Sequence, residues 1–501
     1  MSERVQSLLV VGRDAPAWLA AMAIHRALGP TGLKVQVVEL PSVLAEADVY
    51  SAVPSLAAMH RLLGLDERLV LQACQGVPMV AQRFSNWGKS APPFLLAYDD
   101  EPPPGGDLPF IQYWAKGALE GLRVGLEDFS LGSACARLGR VPKEPEEASV
   151  PLAASYGYHL DARCYSELIK QVALRSGVEL AGAGVADVAI DSDRITAVET
   201  SEGLRVAADL FIDASGVQRA LIGRMPDAEF QSWRAHFPCD RMIACSAPRL
   251  KSLPVFSQIS AFRGGWVGLF PLDHRTAIVA AYDSRVIGDG DLAQQLSVLA
   301  RMPITGDAVV SELGQGIQKA PWIGNCVAIG DAAFALEPLD GLALHAAHAC
   351  ISHLMTVFPA TASEFPEAIA YNRSIHAFAA NLRDFQLAHY KLNRRFDDTM
   401  WDRARDADAP QTLQHKLDLF AARAMVPLYD EESFQEQSWA ALFVGSGLMP
   451  EAYDLRIDQV PDEQHIAKVQ QRLRAVAELA KTMPSVDEFL GAYRPQAQVN
   501  A

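Results

Sequence analysis

The chain has 501 residues, half of them hydrophobic, and a net charge of −16. That length is too great for one simple domain and ample for a large core. The acidic balance argues against nucleic acid, whose binding rests on clustered cations.

The polar opening MSERVQS lacks the charged-then-apolar pattern of an export signal. No apolar run approaches the ~20 residues of a membrane helix. The seven cysteines (Cys74, Cys135, Cys164, Cys239, Cys245, Cys326 and Cys350) have no paired spacing, so reduced, mostly buried thiols in a cytoplasmic protein are expected.

LLVV (8–11) reads as a strand, PAWLAAMAIHRAL as a helix with Pro16 in its first turn, and KVQVVEL (34–40) as a second strand. Gly29, Pro30 and Gly32 stop the helix. A strand, helix and strand within about 30 residues make a βαβ unit with a parallel sheet. Residues 54–75 have apolar positions at helical spacing and predict a helix. The Pro/Gly-rich stretch 91–109 predicts an irregular loop, and VPKEPEEASVP (141–151) a solvated surface segment.

YHLDARCYSELIKQVALRSGVEL (158–180) reads as a helix feeding a strand. Residues 184–213 alternate like strands, with a hairpin turn at DSDR, and LFIDASG (210–216) is a strand ending in a tight turn. More strands are expected within 253–282. Residues 327–355 read as strand, turn and long helix, and the chain beyond about 360 reads as mainly helical. The expected fold class is α/β. A Rossmann-like nucleotide domain occupies residues 1–355, with a β-rich substrate domain inserted at about 80–150 and 225–320, and 356–501 is a helical C-terminal region.

The turn after the first strand should carry G-x-G-x-x-G, and its three places hold Gly12, Asp14 and Ala17. Ala is tolerated at the last place. The second glycine lets bare backbone approach a diphosphate, whereas Asp14 brings a carboxylate there. Two like charges ~4 Å apart repel by roughly 4 kcal/mol at an effective dielectric near 20. Arg13 is placed to swing in and neutralise it. Glu39, at the end of the second strand, is suited to accept ribose hydroxyls; otherwise it is a surface strand-end glutamate. His345, His348 and His353 share one helical stretch at a spacing that can bind metal, but no third ligand type lies nearby, and packed histidines without metal are expected.

The stretches LLVVGRDAPAWLAA, VVELP, VPSLAAMHRLLGLDE, FSNWG, LPFIQYW, YHLDARCYSELIKQVALRSGV, DLFIDASG, GGWVGLFPL and PWIGNCVAIGDAAFALEPLDG follow one another across roughly residues 6–345. Together they resemble the flavin-dependent tryptophan halogenase family. The resemblance implies an FAD-binding fold shared with single-component aromatic hydroxylases. A separate reductase supplies reduced FAD, which reacts with oxygen and oxidises halide to hypohalous acid. The acid travels to a lysine beside an aromatic substrate, where a glutamate assists. FAD, a flavin reductase, a small aromatic substrate and a homo- or hetero-oligomeric partner are therefore expected; nucleic acid and membrane are not.

The implied cofactor residues are Gly12, Arg13, Ala17 and Glu39, then Gly330, Asp331 and Ala332 of GDAA, and Pro338 of EPLDG. Asp331 would lie near the ribityl chain and diphosphate, or cap a helix whose N–H groups face that anion. Several places depart from the family pattern. Where it shows G-E-(S/A)-T-x-P, this chain has VYSAVP (49–54), which keeps Pro54 and brings in Val49 and Tyr50. The register of CQGVPMVAQRFSNW puts Met79 at the lysine, and Lys89 is a loop lysine too far on.

Asp340 aligns with the family's glutamate and is the expected catalytic acid or base. Gly341, Leu342 and Ala343 stand in place of the halide-holding S-T-G. The W-x-W-x-I-P signature reads Trp266, Gly268, Phe270, Pro271, which leaves its tunnel either wider or collapsed. Two readings stay open. One is an FAD-dependent oxidoreductase, monooxygenase or halogenase on an aromatic or indole-like substrate. The other is a non-catalytic halogenase-fold binding or partner subunit that has lost tight FAD binding. Ordinary tryptophan halogenation ranks behind both.

Overall fold

The computed structural model describes residues 4–89, 91–100, 108–143 and 152–493. The chain divides into two compact units: Met1–Gly76, Leu160–Asp240 and Ser311–Ala380 form the first, and Val77–His159, Arg241–Val310 and Asn381–Ala501 the second.

The first unit is built on a sheet whose successive members are Trp322–Ile323, β5 (Cys326–Ala328), β4 (Leu210–Ala214), β1 (Ser7–Gly12), β2 (Lys34–Glu39) and β3 (Glu179–Ala183). β1 lies parallel between β2 and β4, with Gly12 opposite Glu39 on one side and Ala214 on the other. The chain passes from β1 outward to β2 and β3 and then returns to the far side of β1. The strand order therefore reverses at the carboxyl ends of β1 and β4, the crevice where open α/β sheets bind ligands.

Helix α1 (Asp14–Leu28) joins β1 to β2. Its Ala, Leu and Met favour helix, and Ala15, Ala17, Trp18, Leu19, Ala20, Ala21, Met22 and Ile24 are buried. It packs on α2 (Ala162–Ser176) and α3 (Ala343–Thr356). Gly12 has a steric reason to be glycine: a β-carbon there would sit 2.5 Å from the Ala214 carbonyl oxygen.

The second unit carries a seven-stranded sheet in the order Thr305–Glu312, Arg241–Pro248, Arg275–Tyr282, Gly265–Pro271, Phe256–Phe262, Ala81–Ser85 and Phe94–Ala97. Helix Asp289–Ala300 covers a core of Ile243, Cys245, Val267, Ile278 and Ala280 with Leu292 and Leu296. Helices Leu131–Leu138, Asp462–Thr482 and Val486–Tyr493 close a second core over Val77, Val80 and Ala81. No described helix is long and apolar enough to cross a membrane.

Away from the candidate site, local structure departs from the sequence reading in three places. The helix expected over 54–75 is two helices, Ser55–Leu63 and Glu67–Ala73. Gly64 ends the first at φ +69°, and Asp66 starts the second by accepting from the Arg68 N–H at 2.7 Å. The loop expected over 91–109 contains the strand Phe94–Ala97, which pairs with Ala81–Ser85. YHLD belongs to a strand, Gly157–Asp161, and the helix begins only at Ala162, capped by Asp161 accepting from the Cys164 N–H. Of the acidic stretch, residues 144–151 lie outside the described residues.

The close approach at Gly12 predicts that Gly12→Ala forces β1 and β4 apart. The expected loss is about 1–3 kcal/mol, typical of overpacking, read as a lower midpoint in thermal or urea unfolding.

Candidate cofactor and substrate sites

The turn leaving β1 has the backbone of a glycine-rich loop without its glycine. Asp14 sits at φ +55°, in the left-handed region where glycine is at ease. Two backbone donors of the first turn of α1 are spent or missing: the Ala15 N–H bonds the Ser166 Oγ at 3.1 Å, and Pro16 has none. Ala17 is fully buried against the sheet. Arg13 is 8% exposed, and its Nη2 donates to Gln218 Oε1 at 2.5 Å. Burial holds its guanidinium below the ordinary value, while Asp14 and then Asp213 pull it back up.

Beside this turn lies a cleft of about 520 Å³, lined by Asp14, Trp18, Glu39, Ser42, Ser166 and Lys170 among others. Glu39 accepts from Trp18 Nε1 at 3.2 Å on one oxygen and from Lys170 Nζ at 2.6 Å on the other. A carboxylate accepts about four hydrogen bonds, so Glu39 retains capacity for two hydroxyl donors. Lys170 was not singled out from the sequence. It comes from α2, some 130 residues beyond Glu39, and no local pattern announces the pair.

Across the crevice, Asp213 at the end of β4 is fully buried and accepts from the Ser215 N–H, Ser215 Oγ and the N–H groups of Leu221 and Ile222 at 2.5–2.9 Å. It organises the turn carrying Gln218 and Arg219. Gly330 is at φ +55° and opens a three-residue 3-10 turn. The helix start expected there is absent: the Ala332 and Ala333 N–H groups bond back to Ile329 and Gly330, and Asp331 caps nothing. The strand Phe334–Ala335 follows, so the long helix α3 waits until Ala343.

Asp331 is solvent-exposed, yet protein surrounds it closely enough that desolvation pushes its carboxyl up to about 6, against the pull of Arg219. Tyr50, half-buried, is raised by burial and then by Asp14.

Pro338 is half-buried in the loop leading to α3, and Asp340 is 1% exposed at φ +63°. Gly341 follows at φ +72°, where a β-carbon would fall 2.9 Å from the Ser51 carbonyl oxygen. Leu342 is buried and caps α3 without a side-chain bond. His345 shares a 2.7 Å hydrogen bond with Ser55 Oγ, and burial, then His348, pushes it down to about 4. Among the described residues no group of three or more His, Cys, Asp or Glu is arranged to hold a metal.

Within the second unit, Met79 is 0% exposed and in the strand Val77–Met79, paired with Gly157–Asp161. Its thioether accepts from Ser257 Oγ at 3.1 Å, and Ser257 Oγ lies 2.9 Å from His159 Nε2. Both partners are fully buried, and burial pushes His159 down to about 3. A hydroxyl has one proton, so when Ser257 gives it to sulfur, His159 must donate from Nε2.

Trp266 is fully buried and donates from Nε1 to Tyr390 Oη at 3.0 Å. A β-carbon at Gly268 would meet the Phe270 ring at 2.7 Å, so the space of the missing second indole is filled rather than widened. Lys89 is an exposed loop lysine, 3.7 Å from Asp397.

The family model described as tryptophan halogenase matches residues 7–462. Tryptophan 7-halogenase KtzQ of Kutzneria sp. (strain 744) is 27% identical, with 97% of this chain and 98% of that protein covered. Among solved structures, BrvH, a flavin-dependent halogenase from Brevundimonas sp. BAL3, superposes with a TM-score of 0.91 at 26% identity, covering 98% of this chain and all of that one. Xcc4156, a flavin-dependent halogenase from Xanthomonas campestris, gives 0.92 at 26% identity and 99% of each chain.

These flavin-dependent relatives imply FAD as the cofactor. The cleft meets its adenosine end with an acceptor carboxylate at the tip of β2. At the diphosphate end backbone donors are scarce and Asp14 opposes the anion. Yet Arg13 Nε and Arg219 Nε are buried there without a hydrogen-bond acceptor. The residues fit FAD, with guanidinium groups standing where bare backbone would be expected.

Removing the opposing charge should help. Asp14→Asn, which keeps the left-handed turn, is expected to tighten FAD binding about tenfold by fluorescence titration; unchanged affinity would mean that the carboxylate points away. Because Asp331 is neutral below about 6 and charged above, FAD affinity should fall as pH rises from 5.5 to 7.5, and Asp331→Asn should flatten that dependence.

Proposed function

The chain belongs to the tryptophan halogenase family, and from that membership we propose that it is an FAD-dependent oxidoreductase acting on a small aromatic or indole-like substrate without passing halogen through a lysine. The carrying observation is Met79. The position of the family's lysine holds a thioether that is fully buried and already accepts the Ser257 hydroxyl. A thioether has no amine to hold hypohalous acid, and this one is closed to solvent.

In this reading Glu39 receives the ribose hydroxyls and Lys170 holds its carboxylate in place. Gly330 supplies the left-handed turn that sets Asp331 at the crevice, and Ala332 and Pro338 shape the wall behind it. When bound, reduced FAD delivered by a separate reductase supplies the electrons that activate oxygen. Asp340 is the residue placed to take or give a substrate proton. It lies in a buried turn in which Asp340 and Gly341 are both left-handed. Leu342 in place of a hydroxyl residue leaves halide without a side-chain donor there.

A second reading, a non-catalytic binding or partner subunit of the same fold, is favoured by the α1 turn, where Asp14, the occupied Ala15 N–H and Pro16 all weaken the diphosphate cradle. The two part on one experiment: FAD titration of the purified protein, followed by turnover with reductase, NADH and bromide on indole-type substrates. Oxygenated product without brominated product supports the first reading; absence of FAD binding at high micromolar concentration supports the second; brominated product from the wild type overturns both.

Met79→Lys should not restore halogenation. It inserts an ammonium into a dry core, and the unfolding midpoint is expected to drop by roughly 5 °C or more. A stable variant that brominates tryptophan would show that the position faces substrate.

A further inference from the structure

The crevice at the carboxyl ends of β1 and β4 contains two guanidinium groups that the protein itself leaves under-compensated. Arg13 follows the last residue of β1, and Arg219 lies five residues beyond β4. Arg13 spends one Nη2 donor on Gln218, and its Nε is buried with no acceptor. Arg219 stands at φ +49°, a strained conformation for a long side chain, and its Nε is likewise buried with no acceptor. Its guanidinium carbon lies 3.4 Å from the centroid of the Phe230 ring. Stacking occupies the face of the plane and leaves the donors on its edge available for an anion.

The carboxylate that acts on both groups is already committed elsewhere. Asp213 influences both arginines, but its two oxygens already accept four hydrogen bonds from the turn after β4. Asp14 and Asp331 also face the cluster from α1 and the Gly330–Ala332 turn, and desolvation raises the Asp331 carboxyl to about 6. For both arginines, burial outweighs the carboxylates around them. Two partly desolvated guanidinium groups, each with a buried Nε lacking an acceptor and both within the field of Asp213, stand at the switch point of a nucleotide fold and suit an anion.

We propose that Arg13 and Arg219 form a side-chain clamp for the diphosphate of the bound dinucleotide. The clamp takes over from the two backbone donors lost at Pro16 and at the Ser166-bonded Ala15 N–H. It rests on the flavin-binding reading above and adds to it how this chain holds the anion. Gln218 is the positioning residue that keeps the Arg13 fork turned toward the crevice. The clamp also accounts for how a carboxylate at position 14 is tolerated, because Arg13 carries the opposite charge in the adjacent position.

The test is calorimetric titration of the full chain with FAD, ADP, adenosine and inorganic pyrophosphate. Arg13→Met and Arg219→Met keep the apolar stem and remove the charge. Each is expected to weaken FAD and ADP about tenfold or more and to leave adenosine within about twofold. Arg13→Lys and Arg219→Lys should recover part of the loss, and the salt dependence of FAD binding should be shallower in the Met variants than in the wild type. Equal losses for adenosine and ADP would mean a structural role and overturn the clamp. So would FAD affinity that survives both Met substitutions. A wild type that binds pyrophosphate through these arginines but not FAD would leave the clamp standing and remove the flavin reading. A wild type that binds neither phosphate ligand would remove both.

Discussion

The first unit depends on how closely β1 and β4 approach at Gly12 and Ala214. With a β-carbon excluded at 2.5 Å from a carbonyl oxygen, the parallel ladder brings the ends of both strands to the same level. That shared level is what makes a crevice. It sets Arg13 and Asp14 on one lip and the Asp213–Arg219 turn on the other, and it aims α1 along the axis from which a diphosphate would normally be held. Gly12, the first glycine of the turn, is required by strand packing.

Three positions where the chain departs from its family each have a local packing answer. Asp14 keeps the left-handed backbone of the glycine it replaces, so the turn survives the change of charge. Met79 is absorbed into a dry sequence of polar contacts from His159 through Ser257 to sulfur, which satisfies the hydroxyl and leaves nothing reactive exposed. Gly268 is covered by the Phe270 ring, so loss of one aromatic group is offset by its neighbour two residues on. Met79 is closed to solvent, while the crevice of the first unit brings together the Glu39 carboxylate and the Arg13 and Arg219 guanidinium groups.

Much of the architecture was legible in one dimension. The βαβ opening, the hairpin at DSDR, the strand ending in DASG and the strand–turn–helix after residue 327 all follow from apolar periodicity and turn residues, which act over a few neighbours. The misreadings have separate physical causes. Gly64 divides a helical pattern because its left-handed conformation satisfies the end of one helix while Asp66 begins another. FLLA inside a proline-rich stretch becomes a strand because an edge at Ala81–Ser85 is available to pair with it.

By itself the sequence determined the fold class and the family, since both are written in residue identity and spacing. Only the tertiary structure decided what those substitutions mean. Lys170 reaches Glu39, Ser166 takes the Ala15 N–H and Ser257 closes over Met79, each from an element distant in the chain. Hydrogen bonding and desolvation depend on which groups meet in space, and no pattern of neighbours along a chain encodes that meeting.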